Sequence, residues 1–522
     1  MTPMKKQQIW SLAFLAILVV TLIVQIVAVS ALIRLQMVPG LLILLLAVVF
    51  LAYDGAMFFF MFLRGKKPGS RKQARMIVQR RRIISCVMAV VMFCSCIAVS
   101  TVATDVRKTF EAAQAASQID SEKEEPAITR TIFVRTYDSA EKLEDAKAYS
   151  FGIVKNYDDV CTQQAVDAIE AQVGGKIETI GYLNIFEMAD ALLSGKLDAM
   201  ILKSGYISVL EADSRYETFG EQTRALVDVE IEGNGEEMDG NGLLLNAEAE
   251  IAQDGKLKPF ITYISGSDSR SGTLENARSD VNILAVVNPE TRQVLLLNTP
   301  RDYYVPMPLV EDSYDKLTHC GIYGISCSMG SLAKLYDCDV QYYVRINFDG
   351  FKKVIDAMGG ITVESDYAFV AITRTNIKEG TNHLNGQQAL DFARERYTLQ
   401  GGDHDRGKNQ MKVIKAVVEK ATSGTTILTN YSQIMKSVDG MFEMNIPSSL
   451  IGEVVKRQVA DMSGWNIMSY SVRGSSGNYE CYSVPGELLY AIAPDESYVN
   501  KAQDLIDKVL NGEILTAEML AS

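Results

Sequence analysis

Three long apolar stretches constrain the start of the chain more tightly than any other feature. Ile9–Ile33, Leu41–Leu63 and Ile83–Ala103 are each long enough to cross a bilayer, which takes about 20 apolar residues. The first is too long for a signal-peptide core and two more follow it, so no cleavage is expected. The intervening loops differ in charge. Arg64–Arg82 (RGKKPGSRKQARMIVQRRR) carries nine basic residues and Arg34–Gly40 carries one. Positive charge stays on the cytoplasmic side. The N-terminus and the 64–82 loop are therefore expected inside, and Thr104 onward outside. The competing reading of the basic loop is a site for nucleic acid or anionic lipid. Asp54 lies within the second stretch. An acid at that depth is a functional group or one partner of an interhelical hydrogen bond, and the sequence leaves both open.

The chain of 522 residues has a formal net charge of −13, placed unevenly. Residues 1–103 hold twelve Lys/Arg and one Asp; the rest holds thirty-nine Lys/Arg against sixty-three Asp/Glu, a net of −24. So acidic an outer portion repels nucleic acid, and none is expected as a partner. Of eight cysteines, Cys86, Cys94 and Cys96 fall in the third apolar stretch and read as apolar filler. Cys161, Cys320, Cys327, Cys338 and Cys481 fall outside it, in no metal-ligand spacing. Disulfides are compatible with an external compartment, an odd count leaves one thiol over, and the pairing is not legible.

After a polar, alanine-rich stalk at 104–127, strands and helices alternate. YSFGIVKN, IETIGY, LDAMILK and TRALVDVEIE read as strands, and DDVCTQQAVDAIEAQVGG, NIFEMADALLSGK and SVLEADSRYETF as helices. This indicates a small α/β accessory domain over 128–245 with parallel pairing. It shows no glycine-rich phosphate loop, and reads as a spacer or partner-binding module. GNGEEMDGNG (Gly233–Gly242) is a linker. A larger α/β domain, 258–522, follows, with a central sheet flanked by helices. Its strands include FITYISG, SDVNILAVV, VLLLN, VQYYVRI, ITVE and an edge strand WNIMSYSV; its helices include one near Met329–Tyr336, FDGFKKVIDAMGG and Tyr498–Leu510.

Polar residues gather at the strand ends of this domain: Asp268, Arg270, Asp280, Arg301 and Asp302. Open α/β sheets keep their sites there. The stretch DFARERYTLQGGDHDRGKNQ (Asp391–Gln410) adds Arg394, Arg396 and Arg406. Arg394 and Arg396 lie roughly 200° apart around a helix, so they converge only if the helix ends near Arg396. Tyr397–Gly402 reads as that exit, and a second helix starts near Asp403. Asp403, Arg406 and Gln410 then share one face, with Met411, Ile414 and Val418 on an apolar stripe. Two helix ends would present guanidinium forks to one point, which suits phosphate. The alternative is surface salt bridges, Asp391 with Arg394 and Asp403 with Arg406. Asp268 and Asp280 are hard oxygen ligands, and Mg²⁺ is usually held by one or two carboxylates plus phosphates and water. A metal with several guanidiniums describes a pyrophosphate site. Lys316 and His319 read either as part of it or as surface polarity. His383 and His404 have no metal partner set and read as structural.

SGSDSR, RSDVNILAVV, LLLNTPRD, DKLTH and FARERYTLQGGDHDRGKNQ, in this order and spacing, resemble the LytR–CpsA–Psr family over about Phe260–Leu510. The three apolar stretches and the extra α/β domain resemble its capsule-associated branch. The resemblance implies an enzyme outside the Gram-positive cytoplasmic membrane that moves a glycopolymer from polyprenyl pyrophosphate to peptidoglycan. It implies Mg²⁺ on Asp268 and Asp280, and pyrophosphate on Arg270, Arg301, Arg394, Arg396, Arg406 and Gln410, with Lys316 in the matching KLTH motif. Many members have Arg-Gln where this chain has Asn409–Gln410. The family also holds the lipid tail in an apolar tunnel, whose lining is not legible here. Other capsule-assembly proteins are further candidate partners. Asp280 or Asp302 could serve as the base for the acceptor hydroxyl.

No ATP is available outside the membrane, so a transferase there needs a donor carrying its own activation, as a lipid pyrophosphate does. Two other functions compete: a non-enzymatic regulator that senses lipid-linked sugar, and a hydrolase acting on the same carrier. The topology is directly testable. Tags inserted after Thr104 are expected to react with an impermeant reagent in intact cells, and tags within 64–82 to stay silent; the reverse labelling would overturn the orientation.

Overall fold

The computed structural model describes residues 3–35, 38–62, 71–122, 128–155, 159–231, 256–267, 274, 276–422, 441–461 and 463–521. The chain forms two compact units. One comprises 1–112 with 448–463; the other comprises 113–424 and 464–522 with the strand at 442–444.

In the first unit, α1 (Pro3–Leu35), α2 (Gly40–Phe62) and α3 (Arg71–Glu122) contain three segments long and apolar enough to cross a membrane: Leu12–Leu35, Gly40–Phe60 and Gln79–Lys108. The third continues in both directions, so the second half of the basic loop and most of the expected stalk belong to one 52-residue helix. Small and flexible side chains meet where the helices touch, with Ala28, Met92 and Cys96 buried against Val24, Phe50 and Tyr53. The Asp54 question resolves toward packing: Gln25 Nε2 donates to Asp54 Oδ1 at 3.0 Å, and Tyr53 donates to the Met88 carbonyl at 3.0 Å. A further helix, Ser448–Asp461, sets Ile451 and Val455 against Leu35 and Val106.

The second unit contains both α/β portions. The first is a five-stranded sheet of β1 (Ile128–Arg135), β2 (Ser150–Val154), β3 (Glu178–Tyr182), β4 (Ala199–Leu202) and β5 (Thr223–Ile231), with α4 (Asp159–Val173), α5 (Ile185–Leu193) and α6 (Tyr206–Leu210). The order is β3-β2-β4-β1-β5. β2 pairs parallel to β3 and β4, but β1 pairs antiparallel to both β4 and β5. The expected all-parallel pairing is thus corrected to a mixed sheet. The reason is β1 itself: ITRTIFVR directly follows the stalk, was not anticipated as a strand, and enters the middle of the sheet against the direction of β4. One face packs α4 through Ile132, Val134, Phe151, Ala165 and Ile169.

The larger sheet is built from β6 (Phe260–Ser267), β7 (Ser279–Asn288), β8 (Gln293–Asn298), a side ribbon β9 (Tyr304–Pro306) with β10 (Tyr314–Lys316), and β11 (Tyr342–Asn347). α7 (Ile325–Tyr336) and α8 (Phe348–Ala357) flank it, followed by a ribbon of β12 (Ile361–Ser365) and β13 (Gly380–Leu384). Then come α9 (Gly386–Arg394), α10 (Asp403–Thr422), β14 (Phe442–Met444), β15 (Asn466–Ser471), the hairpin β16 (Gly474–Cys481) with β17 (Val484–Pro494), and α11 (Glu496–Leu510). The sheet order is β14-β11-β6-β7-β8-β15, with β15 at the edge as the sequence suggested. ITVE, read as another strand, lies in the separate ribbon with β13, and the β16–β17 hairpin had not been anticipated.

The uninterrupted apolar runs of β7 and β8 follow from burial on both faces. Leu284, Val286, Leu295 and Leu297 enter one core; Ile283, Ala285, Val294 and Leu296 enter another with Met411 of α10. Asn347 caps α8 by accepting the Gly350 N–H at 2.8 Å, and Gly359 and Gly360, both at positive φ, end it.

The small sheet is not a detached spacer. Its second face, with Met188, Leu192, Met200 and Tyr206, is continuous with the core that holds Tyr263, Leu284 and Tyr323. The buried Tyr206 and Tyr323 hydroxyls lie 2.6 Å apart, and Asn184 Nδ2 donates to the Pro485 carbonyl at 3.2 Å. Gly205 sits so close to the chain at Asn276 that a Cβ would come within 2.7 Å of the Asn276 carbonyl oxygen. Truncating one partner of a buried hydrogen bond costs about 1–3 kcal/mol. Tyr323→Phe is therefore expected to lower the stability of the second unit by that amount, seen as an earlier cooperative melt. An unchanged melt would mean the Tyr206–Tyr323 hydrogen bond adds nothing to the joint between the two sheets.

Candidate functional site

β6 and β11 run parallel, and their C-terminal ends lie beside the start of β7 and the end of β8. At this end of the sheet is a cavity of about 450 Å³. Its walls combine two chemistries. Arg278, Asp280, Arg301, Arg394, Arg396, Arg406 and Gln410 form the polar part; Val281, Ile346, Phe348, Phe351, Leu390 and Val413 are among the apolar residues of the rest.

The arrangement of α9 and α10 explains how the arginines meet. Asn385 caps α9 in a capping box with Gln388. The helix ends at Arg394, and Glu395 turns to extended backbone, so Arg394 and Arg396 reach one cavity from two sides of a chain reversal. Glu395, 4% exposed, points the other way. Its carboxylate accepts the backbone N–H of Ile372 (2.8 Å), Arg396 (2.9 Å), Tyr397 (2.8 Å) and Thr398 (3.0 Å). Burial pushes its pKa up, but the four backbone donors outweigh burial and hold it below the ordinary glutamate value. The salt-bridge alternative does not describe Asp391, which accepts from Thr375 and from Gln387 Nε2 instead. Arg394 lies over the Phe348 ring at 4.3 Å and Arg396 over Tyr397 at 4.5 Å, contacts that suit a guanidinium plane. The Asp403 side chain lies outside the described residues. Arg406 is brought over the sheet by Gly407, where a Cβ would lie 2.4 Å from Asn298 Nδ2. Asn409 does not line the cavity: its Nδ2 donates to the Phe392 carbonyl at 3.3 Å and ties α10 to α9.

Asp280 is the one carboxylate among the described residues of the cavity wall. Arg301 Nη1 lies 3.0 Å from its Oδ1. Burial raises its pKa, but Arg301, Arg278 and Arg406 together reverse that and hold it ionised. Asp302 and Lys316 are placed elsewhere than expected. Asp302 lies 3.5 Å from Arg301 Nε and 3.7 Å from Lys316 Nζ, and neither residue lines the cavity; they back Arg301 from behind. Asp268 and Arg270 lie outside the described residues. As a Mg²⁺ ligand Asp280 fits in charge and hardness, supplying one carboxylate of the one or two such a site uses. Among the described residues no cluster of three acidic, His or Cys side chains forms an all-protein metal cage.

One expectation near the KLTH motif changes. His319 is not surface polarity: it is 1% exposed, and its Nδ1 lies 2.8 Å from both Asp315 Oδ1 and Ser483 Oγ. Ser483 N–H also donates to Asp315 Oδ2 at 2.6 Å, so the motif clamps the β16–β17 hairpin. All eight cysteines are free thiols.

The model of the LytR_cpsA_psr family matches residues 229–496. The chain belongs to this family. Among its relatives, a polyisoprenyl-teichoic acid–peptidoglycan teichoic acid transferase TagU of Enterococcus faecalis is 34% identical over 183 residues, 35% of this chain and 59% of the relative. A protein of the same name from Halalkalibacterium halodurans is 30% identical over 246 residues, 46% of this chain and 75% of the relative. The match therefore spans about three-fifths to three-quarters of these relatives. The crystal structure of Bacillus subtilis TagV superimposes with a TM-score of 0.41 at 25% identity, covering 49% of this chain and 98% of that one.

Sequence reasoning missed three parts of this family site. Arg278 sits two residues before Asp280 at the same strand start, a position that could have flagged it. Phe348 and Phe351 read only as helix residues. Glu395, between two arginines, was given no role and is a backbone clamp. Charged acceptors of this kind are worth about 1.5–3 kcal/mol each, so Glu395→Gln is expected to destabilise the second unit by at least that much at neutral pH. Because the folded pKa is depressed, the stabilisation is complete above the ordinary glutamate value of 4.5 and is lost as pH falls through the lower folded value. The gap between variant and parent melts should therefore close in acid. Equal melts at pH 7 would remove Glu395 as the clamp.

Proposed function

We propose that the chain is a membrane-anchored phosphotransferase that moves a glycopolymer from a polyprenyl-pyrophosphate carrier to peptidoglycan, outside the cytoplasmic membrane. One observation carries this reading: five arginines and an apolar wall meet in one cavity. A pyrophosphate joined to a long hydrocarbon needs both at once. Guanidinium forks match phosphate oxygens in pairs, while Phe348, Phe351, Leu390 and Val413 supply the apolar surroundings that a polyprenyl tail requires. The relatives named for transfer of polyisoprenyl-linked teichoic acid support the same donor class. The three apolar helices would keep the enzyme beside a donor confined to the bilayer, and they and the second sheet favour the capsule-associated branch.

In the reaction, the acceptor hydroxyl attacks the phosphorus that carries the glycan. The bond from that phosphorus to the bridging oxygen breaks, and polyprenyl phosphate leaves with the electron pair. Arg278, Arg301, Arg394, Arg396 and Arg406 hold the phosphate oxygens and stabilise the charge that grows on the leaving group. Asp280 faces the cavity and receives the hydroxyl proton; Asp302, turned toward Lys316, is the weaker choice. Asp280, together with Asp268 as the family resemblance implies, would hold Mg²⁺, which supplies further positive charge at the pyrophosphate when bound.

The test is ligation by the full chain in detergent, with a polyprenyl-pyrophosphate glycan, Mg²⁺ and peptidoglycan oligomers. Ligated product is expected, with Arg394→Lys and Arg396→Lys each lowering turnover about 10²–10³-fold, since an ammonium keeps the charge and loses the fork. Release of free glycan with no ligated product would establish a hydrolase instead. Binding without turnover would establish a sensor. Full activity of the lysine variants would place the phosphate site elsewhere.

A further inference from the structure

Helix α10 has a second functional face. Arg406, Gln410 and Val413 turn to the cavity; His404, Lys408, Met411 and Lys415 turn to a separate open groove of about 880 Å³, bounded by the edge strand β15, Arg473 and the start of α11. In a portion of the chain that is otherwise strongly acidic, no carboxylate among the described residues lines this groove. Its cations are Lys408, Lys415, Lys501 and Arg473 with His404, while Lys412 also borders it. Carboxylates outside the groove pair with four of them: Asp405 with Lys408 at 3.2 Å, Asp366 with Lys412 at 2.7 Å, Glu419 with Lys415 at 3.9 Å and Asp504 with Lys501 at 3.6 Å. Apart from Asp405, these acids are well exposed, and such exposed pairs are weak enough for a ligand to displace.

The floor is aromatic. The Tyr470 and Tyr498 rings are stacked, 6.4 Å between centroids and 27° between planes. The Arg473 guanidinium lies 5.7 Å from the Tyr498 centroid, with its Nη2 3.4 Å from His404 Nε2. An aromatic platform takes the apolar C–H face of a sugar ring through dispersion and burial, and flanking cations take the acid groups spaced along a chain of such rings. A flat bilayer surface does not enter a concave groove.

We infer that this groove binds a strand of an acidic polysaccharide, sugar rings bearing carboxylates, beside but apart from the cavity. The site is distinct from the pyrophosphate site, so it stands or falls independently of the transfer reaction.

Binding is measured by calorimetry on the full chain in detergent, with oligogalacturonate as the probe, maltodextrin as the uncharged sugar chain and poly(glycerol phosphate) as the charged chain without rings. Oligogalacturonate is expected to bind tightest and to weaken as salt rises. Its affinity should fall at least about tenfold in a Lys415→Glu, Arg473→Glu double variant, two reversals of steering charge, and also in Tyr498→Ala. Arg394→Ala, in the cavity, should bind it as the parent does. Retained folding of the variants is checked by their melts. Unchanged affinity in the double variant overturns the inference, as does loss of binding in Arg394→Ala. Equal binding of maltodextrin overturns the role of charge, and tighter binding of poly(glycerol phosphate) overturns the role of the rings.

Discussion

Positive charge crowded around one small cavity is the constraint from which the rest of the unit with the two sheets follows. Like charges 4 Å apart repel by about 4 kcal/mol at an effective dielectric of 20, so five guanidiniums do not gather unless the fold compels them. Three devices do this. Asp280 sits among them, ionised, and partly neutralises the group. Aromatic faces take two of the planes, Phe348 for Arg394 and Tyr397 for Arg396. Glu395, buried and turned inward, fixes the chain reversal by gathering four backbone N–H groups. The arginines are thus held in place before any anion arrives, which is the condition under which electrostatic stabilisation of a transition state costs little reorganisation.

Much of this was legible in the sequence, because it rests on local geometry. Arg394 and Arg396, two residues apart, could share a target only across a helix end, and α9 ends there. Met411, Ile414 and Val418 had the spacing of a buried stripe and enter the core under the sheet. The apolar runs of β7 and β8 announced burial on both faces. What was not legible depends on long-range pairing. The direction of β1 is set by β4, some seventy residues later. Asp302 has the same composition cues as Asp280 and differs only in which way the chain after β8 turns. His319 gave no sign of burial because its partners, Asp315 and Ser483, are 168 residues apart.

The small sheet gains a more definite role from this than a spacer has. Its Tyr206 and Gly205 press on Tyr323 and on the chain at Asn276, and Asn276 precedes Arg278 and Asp280 by a few residues. The strand start that carries the cavity's carboxylate is therefore braced from behind by another sheet. Close-packed interiors leave such a segment little room to shift, so the small sheet helps to fix the position of Arg278.

Helix α10 organises the two sites by its own periodicity. Residues three and four apart share a face, so one helix can present Arg406 and Gln410 to the cavity and Lys408 and Lys415 to the groove, with Gly407 at its closest approach to the sheet between them. The two faces call for different strengths of attraction. On the function proposed above, the cavity would grip a compact, doubly charged group through oriented forks. The groove, open to solvent and lined by ammonium groups on flexible stems, suits a repeated, weak hold that a polymer can release by sliding. A rigid helix between them keeps the separation fixed, so a polymer held in the groove would stand at a constant distance from the phosphate at which its chain is joined or ended.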